Sequence, residues 1–284
     1  MKKTINVLVV GVPTAGLEVQ AWRRLATFKI QKKKPKVSTS KLFESFKRGS
    51  TNQLRKRVAK AIEESGELLR RDITAHVEDA GEIIPEQFAK RFEGKYGLDE
   101  NDMLGLSEEF AALCEGKDLV VLLGGDHAGG LLLYALEGNV ARFDEHSDSC
   151  ATPLTCSPGV LRNNYVCTAI RLGLKTEKEI QGVGVREGEQ TYELASHATN
   201  ADIFDIDLDV IAPKYGIATR HSKGNLSPDA LVGAIRANCP RVVGFFEAVP
   251  EHDASGADTG KVDEKTQTLI EQLAIEAAIN CKKR

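Results

Sequence analysis

Two continuous apolar runs limit what this chain can fold into: INVLVVGV at residues 5–12 and DLVVLLGG at 118–125. Neither alternates polar with apolar residues. Each therefore needs cover on both faces, which is the situation of a strand inside a parallel sheet. Further strands are expected at 73–83, in VARFDEH (140–146), in IQGVGVR (180–186), at 201–211 and at 241–249. Between them lie stretches with helical signals. Leu54, Val58, Ile62, Leu68 and Leu69 recur near helical spacing over 53–71. Residues 17–28, most of 85–115, 161–172 and 265–280 read as helical, and GGLLLYALEG (129–138) reads as a helix or a packed layer. SPDALVGAIRAN (227–238) carries a full start signal, with Ser227 as N-cap, Pro228 in the first position and Asp229 behind it. Strands alternating with helices predict an α/β fold, a three-layer αβα sandwich around a mainly parallel sheet.

Composition narrows the class. The chain has 284 residues, 42% hydrophobic and 28% charged, which suits one α/β domain with a sizeable core. A net charge of -3 carries no signature of a nucleic-acid or membrane partner. The basic stretch at 29–60 reads as a solvated loop and helix face, since aromatics that would stack bases are sparse there. No segment reaches the ~18 apolar residues of a membrane span. The opening MKKTINVLVVGVPTAG mimics a signal peptide, but Pro13 interrupts a short apolar run and no small-residue cleavage site follows. It is expected to be the first strand. The six cysteines include no CxxC pair and read as reduced thiols, so a cytoplasmic protein is expected.

In such sheets the functional site lies at the carboxyl ends of the strands. Three strands end in ligand-type residues: DLVVLLGGDH with Asp126 and His127, VARFDEHSD with Asp144, His146 and Asp148, and IFDIDLDVIAP with Asp205, Asp207 and Asp209. Positions i, i+2 and i+4 of a strand share a face, so Asp144, His146 and Asp148 converge if strand geometry holds that far. The same holds for Asp207 and Asp209. Carboxylates gathered at one sheet edge repel unless cations neutralise them. Mixed carboxylate and imidazole ligands suit Mn²⁺, Zn²⁺ or Fe²⁺ better than Ca²⁺.

GGDH, DEHSD and DLDVIAP resemble the three metal-binding signatures of the ureohydrolases, the arginase, agmatinase and formiminoglutamase family, approximately GGDH, DAHxD and DxDxxDP. EDAGEI (78–83), QGVGVR (181–186), GNLSPDAL (224–231) and FFEAVPEHDASG (245–256) are similar to other family segments, in family order. The resemblance covers about residues 73–280 and marks the chain as a divergent member. The first third matches poorly beyond its opening strand, so a divergent basic helical insertion is expected at about 29–71 within a single domain spanning 1–284.

The resemblance implies an arginase-like fold and two Mn²⁺ per chain. His127, Asp144, Asp148 and Asp207 would hold one ion, and Asp144, His146, Asp207 and Asp209 the other. A rival register pairs Asp205 with Asp207, but DLDVIAP aligns Pro213 with the motif's proline. The implied reaction is hydrolysis of a non-peptide C–N bond in a guanidino or formimino compound by a hydroxide bridging the two ions. Asp148 would accept a hydrogen bond from that hydroxide and relay its proton, and Glu247 would pair with the cationic nitrogens of the substrate. Arg162 and Asn163 fall near the place of a substrate-contacting loop. A homo-oligomer, trimer or hexamer, is the implied assembly.

The chain departs from the family in places. The loop at 149–171 has no histidine where a proton shuttle is usual, and arginine cannot shuttle protons near neutral pH. Pro158 and Val160 stand where groups recognising an α-amino acid would be expected, Ala212 replaces the motif's third aspartate, and Glu145 replaces a small residue. These departures motivate an alternative: a metal-binding family member with a binding or regulatory role. A second alternative comes from IFDIDLDV, which resembles the nucleophile strand of haloacid-dehalogenase-type phosphatases. That strand normally opens its fold, whereas this one lies near residue 205.

Overall fold

The computed structural model describes residues 2–12, 50–83, 100–124, 127–145, 165–183, 200–217, 224–248 and 258–282, with 186–187, 190–191, 219 and 250–252. Its centre is a sheet of seven parallel strands: β1 (Lys3–Val12), β2 (Ile73–Glu82), β3 (Leu119–Gly124), β4 (Val140–Phe143), β5 (Ile180–Val183), β6 (Ile203–Asp207) and β7 (Val242–Phe246). Their spatial order is β2-β1-β3-β7-β6-β4-β5. The two runs that open the sequence argument are neighbours near the centre, and every residue of β3 is buried. Two short antiparallel ladders, Arg186–Glu187 with Gln190–Thr191 and Pro250–His252 with Asp258–Val262, lie outside the sheet and have no counterpart in the sequence reading.

Helices cover both faces, as expected of a three-layer sandwich. On one face pack α1 (Ser50–Glu63), α2 (Gly66–Arg70), α6 (Pro228–Asn238) and α7 (Glu264–Asn280). On the other lie α3 (Glu100–Cys114), the single turn α4 (Leu131–Tyr134) and α5 (Tyr165–Arg171). The expected start of α6 is present: the Ser227 hydroxyl accepts the amide of Ala230 at 3.1 Å with Pro228 beside it. At α7, the Asp263 carboxylate accepts the amides of Lys265 and Thr266.

Two boundaries differ from the sequence reading for physical reasons. The helix expected over 53–71 is broken at Ser65, whose hydroxyl caps a fresh helix start by accepting the Leu68 amide. The break rotates the following turn, so Leu68 is buried while Leu69 is 65% exposed. The strand expected over 201–211 stops at Asp207. There the Asp207 carboxylate accepts the Asp209 amide at 2.9 Å and turns the chain into a 3-10 helix, Leu208–Val210.

Candidate metal centre

Alternation along the strands builds the site in ranks. Arg142 of β4, Asp205 of β6, Gly244 of β7 and Leu122 of β3 stand side by side across the sheet. The side chains of Arg142, Asp205 and Leu122 share the face covered by α4 and α5, where Gly244 has none, with Val140, Ile203 and Val242 one step earlier in the same apolar cluster. Two residues further along the strands come Asp144, Asp207 and Phe246. The next residues in space are Asp209, after the 3-10 turn, and Glu247. The apolar face thus becomes polar within one strand step, at the carboxyl edge of β3, β7, β6 and β4.

All of these groups are buried: Asp144, Asp205 and Asp209 are 0% exposed and His127 is 1%. His127 opens the 3-10 turn that follows β3. Its Nδ1 lies 3.0 Å from an oxygen of Asp144 and 3.0 Å from one of Asp207. Its Nε2 lies 2.9 Å from Asp205 on the opposite side. Phe246 stacks on the ring at 5.1 Å and Tyr165 lies tilted against it at 4.6 Å. The Glu145 amide, just beyond β4, donates to Asp209 at 3.3 Å and holds that carboxylate against the strand ends.

The electrostatics reflect the crowding. Burial by itself would depress the His127 imidazole, and it is the largest single effect. The surrounding Asp205, Asp144 and Asp207 together outweigh it and hold the group well above its ordinary value. Burial pushes the Asp207 carboxyl well above the usual carboxylate range; the nearby His127 opposes this and Glu247 reinforces it. Arg142 places a permanent cation 3.3 Å from Asp144.

Two groups of side chains offer ligand atoms within 4.8 Å of one another: His127, Asp144 and Asp207, and then Asp207, Asp209 and Glu247. Both are wholly buried, and they share Asp207. Asp205 belongs to neither group. It faces the far side of His127, so the grouping falls on Asp207 and Asp209 rather than on the rival pair Asp205 and Asp207. Of the residues expected from sequence, His127, Asp144, Asp207, Asp209 and Glu247 come together here. His146, Asp148, Arg162 and Asn163 lie outside the described residues.

The Asp209 position was expected from strand alternation, but the 3-10 turn brings it to the site instead. Glu247 has φ 60°, a left-handed backbone conformation that is uncommon for a residue with a long side chain. Such strain collects at functional sites. Sequence reasoning missed Arg142, a lone charge inside the apolar VARF and two residues before Asp144; extending the alternation one step back would have found it. It also missed Tyr134 and Tyr165, which read as ordinary helix residues and gave no local signal.

No protein-family model and no curated protein matches the chain. Solved structures do share its fold. The arginase from Bacillus cereus is 17% identical with a TM-score of 0.58, over 96% of this chain and 98% of that one. The agmatine ureohydrolase of Thermoplasma volcanium is 14% identical with a TM-score of 0.55, over 98% and 90%. The proclavaminate amidino hydrolase from Streptomyces clavuligerus is 15% identical with a TM-score of 0.56, over 97% and 92%. The arginase-like fold expected from the motifs is therefore the fold of the chain. The haloacid-dehalogenase reading gains nothing from it, and its would-be nucleophile strand lies deep in the chain order, as the sixth of seven.

Proposed function

We propose that this chain, built on the fold of the arginases and agmatine ureohydrolases, is a divergent ureohydrolase. It would hydrolyse a non-peptide C–N bond of a small guanidino or formimino compound with the help of divalent metal. The observation that carries this reading is the buried convergence of His127, Asp144, Asp207, Asp209 and Glu247 at the carboxyl ends of adjacent strands.

The donor set fits Mn²⁺. One imidazole and several carboxylates, all buried, are costly to hold together without cations, and this mixture suits a borderline divalent ion. His127, Asp144, Asp148 and Asp207 would hold one ion, and Asp144, His146, Asp207 and Asp209 the other. When bound, such a pair supplies positive charge for the transition state and a nucleophile from water at neutral pH.

The protein's own groups do the rest. Asp207, shared by both clusters, ties the two ligand groups into one unit. Arg142, 3.3 Å from Asp144, restrains that carboxylate and offsets part of the negative charge. Glu247 would pair with the cationic nitrogens of the substrate and orient its central carbon, from a backbone held in the left-handed conformation. Its place beside Asp207 and Asp209 also leaves it within reach of a cation. Asp148 would take up and pass on a proton, and Arg162 and Asn163 would contact substrate. A homotrimer or homohexamer is the proposed assembly.

A second reading rests on the sequence at 149–171, which contains no histidine. A chain that keeps its ligands and lacks a shuttle would bind metal and a guanidino ligand without turnover. One experiment separates the two. The Mn²⁺-loaded protein is incubated with a panel of guanidino and formimino compounds, and urea, formamide and ammonia are assayed. The hydrolase reading expects product that disappears in Asp144→Ala. Intact metal binding with no product across the panel would favour the binding protein.

A further inference from the structure

The polar rank beneath the metal ligands is not required by the clusters above it. Asp205 is completely buried, as are Tyr134 and Tyr165. Both tyrosine hydroxyls donate to its Oδ2 at 2.9 Å. Its Oδ1 lies 2.9 Å from His127 Nε2, and the Tyr165 hydroxyl oxygen lies 2.8 Å from the same nitrogen. A carboxylate is acceptor-only, and here two hydroxyl donors already converge on one oxygen. The other oxygen needs a donor, and the imidazole Nε2–H supplies it. A lone pair on Nε2 would instead face the carboxylate at hydrogen-bond distance. Nδ1 faces Asp144 and Asp207 at 3.0 Å each, so once a cation displaces its proton, the proton left on the ring is the one on Nε2.

The backbone makes room for this arrangement. A side chain at Gly130 would lie 3.2 Å from the Asp205 carboxylate and 3.0 Å from the Tyr165 ring. A side chain at Gly244 would strike Leu133 at 2.6 Å and the Phe246 ring at 2.7 Å, and Phe246 is the ring that stacks on His127. Two glycines thus let a carboxylate reach one edge of the imidazole and let a phenyl ring cover its face.

We infer that Asp205 is a positioning residue for the metal centre: with Tyr134 and Tyr165 it fixes the ring plane of His127 and its Nε2–H tautomer, so that Nδ1 is presented with Asp144 and Asp207 to a divalent cation. The inference rests on the metal-binding reading of those ligands. Partners of this kind to a metal-bound histidine set affinity as well as orientation, and their loss typically weakens binding about 10–100-fold.

Two measurements test it, and neither uses activity. Mn²⁺ affinity is measured by electron paramagnetic resonance of the free ion for the wild type, for Asp205→Asn and for the double variant Tyr134→Phe/Tyr165→Phe, with near-UV circular dichroism to confirm the fold. Asp205→Asn is expected to bind about 10–100-fold more weakly, and the double variant to fall between it and the wild type. Separately, ¹⁵N-histidine spectra of the wild type loaded with diamagnetic Zn²⁺ are expected to show His127 protonated at Nε2 and metal-coordinated at Nδ1. A folded Asp205→Asn with wild-type affinity overturns the inference while leaving the metal site standing. So does Nε2 coordination in the spectra, which decides the matter even if Asp205→Asn does not fold. A wild type that binds no divalent cation overturns both this inference and the reading beneath it.

Discussion

The two faces of β4 and β6 are made from alternate residues of the same strands, yet they serve different ends. On the face under α1, α6 and α7 lie Ala141, Phe143, Phe204 and Ile206, apolar to the strand tips, with Phe143 and Phe204 packed at 4.9 Å. On the other face the sequence runs Val140, Arg142, Asp144 and Ile203, Asp205, Asp207. One face is a core throughout. The other is a core for one residue and a buried ionic site thereafter. A strand can carry both because its side-chain period is two, so a polar substitution on one face leaves the packing of the other in place.

This contrast is open to attack from both sides. The largest effect is expected for Asp207→Ala, which removes the carboxylate shared by both ligand groups. Mn²⁺ binding should fall by more than the ~100-fold typical of an outer partner's loss, as read by equilibrium dialysis. Its fold, followed by near-UV circular dichroism, should persist. On the core face, Phe204→Ala should cost about 3–5 kcal/mol of unfolding free energy in a denaturant titration, through lost transfer energy and a residual cavity. Its Mn²⁺ affinity, measured well below the unfolding transition, should stay near wild type. If Phe204→Ala loses the metal while folded, the faces are not separable.

Acid and base act differently on the two faces. His127 and Asp207 both titrate above their ordinary values in the metal-free fold. For a group whose pKa is raised on folding, the favourable contribution is full below its unfolded value and disappears as pH rises through the folded one. Metal-free protein should therefore lose thermal stability as pH climbs from about 4, the unfolded carboxylate value, through neutrality. Mn²⁺ should reverse that slope, since cations replace protons on the same atoms. A melting temperature in EDTA that rises across that range would contradict the ionic account of this face. The smallest effect is expected far from either rank: Ser227→Ala, which deletes the cap of α6, should cost about 1 kcal/mol and leave metal affinity untouched.

Much of this was legible in the sequence because the signals are local. Unbroken apolar runs fixed β1 and β3 as interior strands, and Ser227-Pro228 marked the start of α6. Ligand-type residues at successive strand ends pointed to the candidate site, since a parallel sheet aligns those ends at one edge. What escaped depends on contacts between segments distant in sequence. The capping of Ser65, which leaves Leu69 exposed, competes with a helical pattern that looks continuous on paper. The turn at Asp207 replaces the strand expected to carry Asp209. Tyr134 and Tyr165 meet Asp205 across 71 and 40 residues, a pairing no local pattern encodes.

Anomalous diffraction at the manganese edge, from crystals grown with Mn²⁺, tests both ligand groups at once. Two peaks are expected, about 3.5–4 Å apart as in two-metal sites generally. One should lie against His127 Nδ1, Asp144 and Asp207, and the other against Asp207 and Asp209. No peak among these side chains, or peaks confined to other parts of the chain, would contradict the two-metal reading.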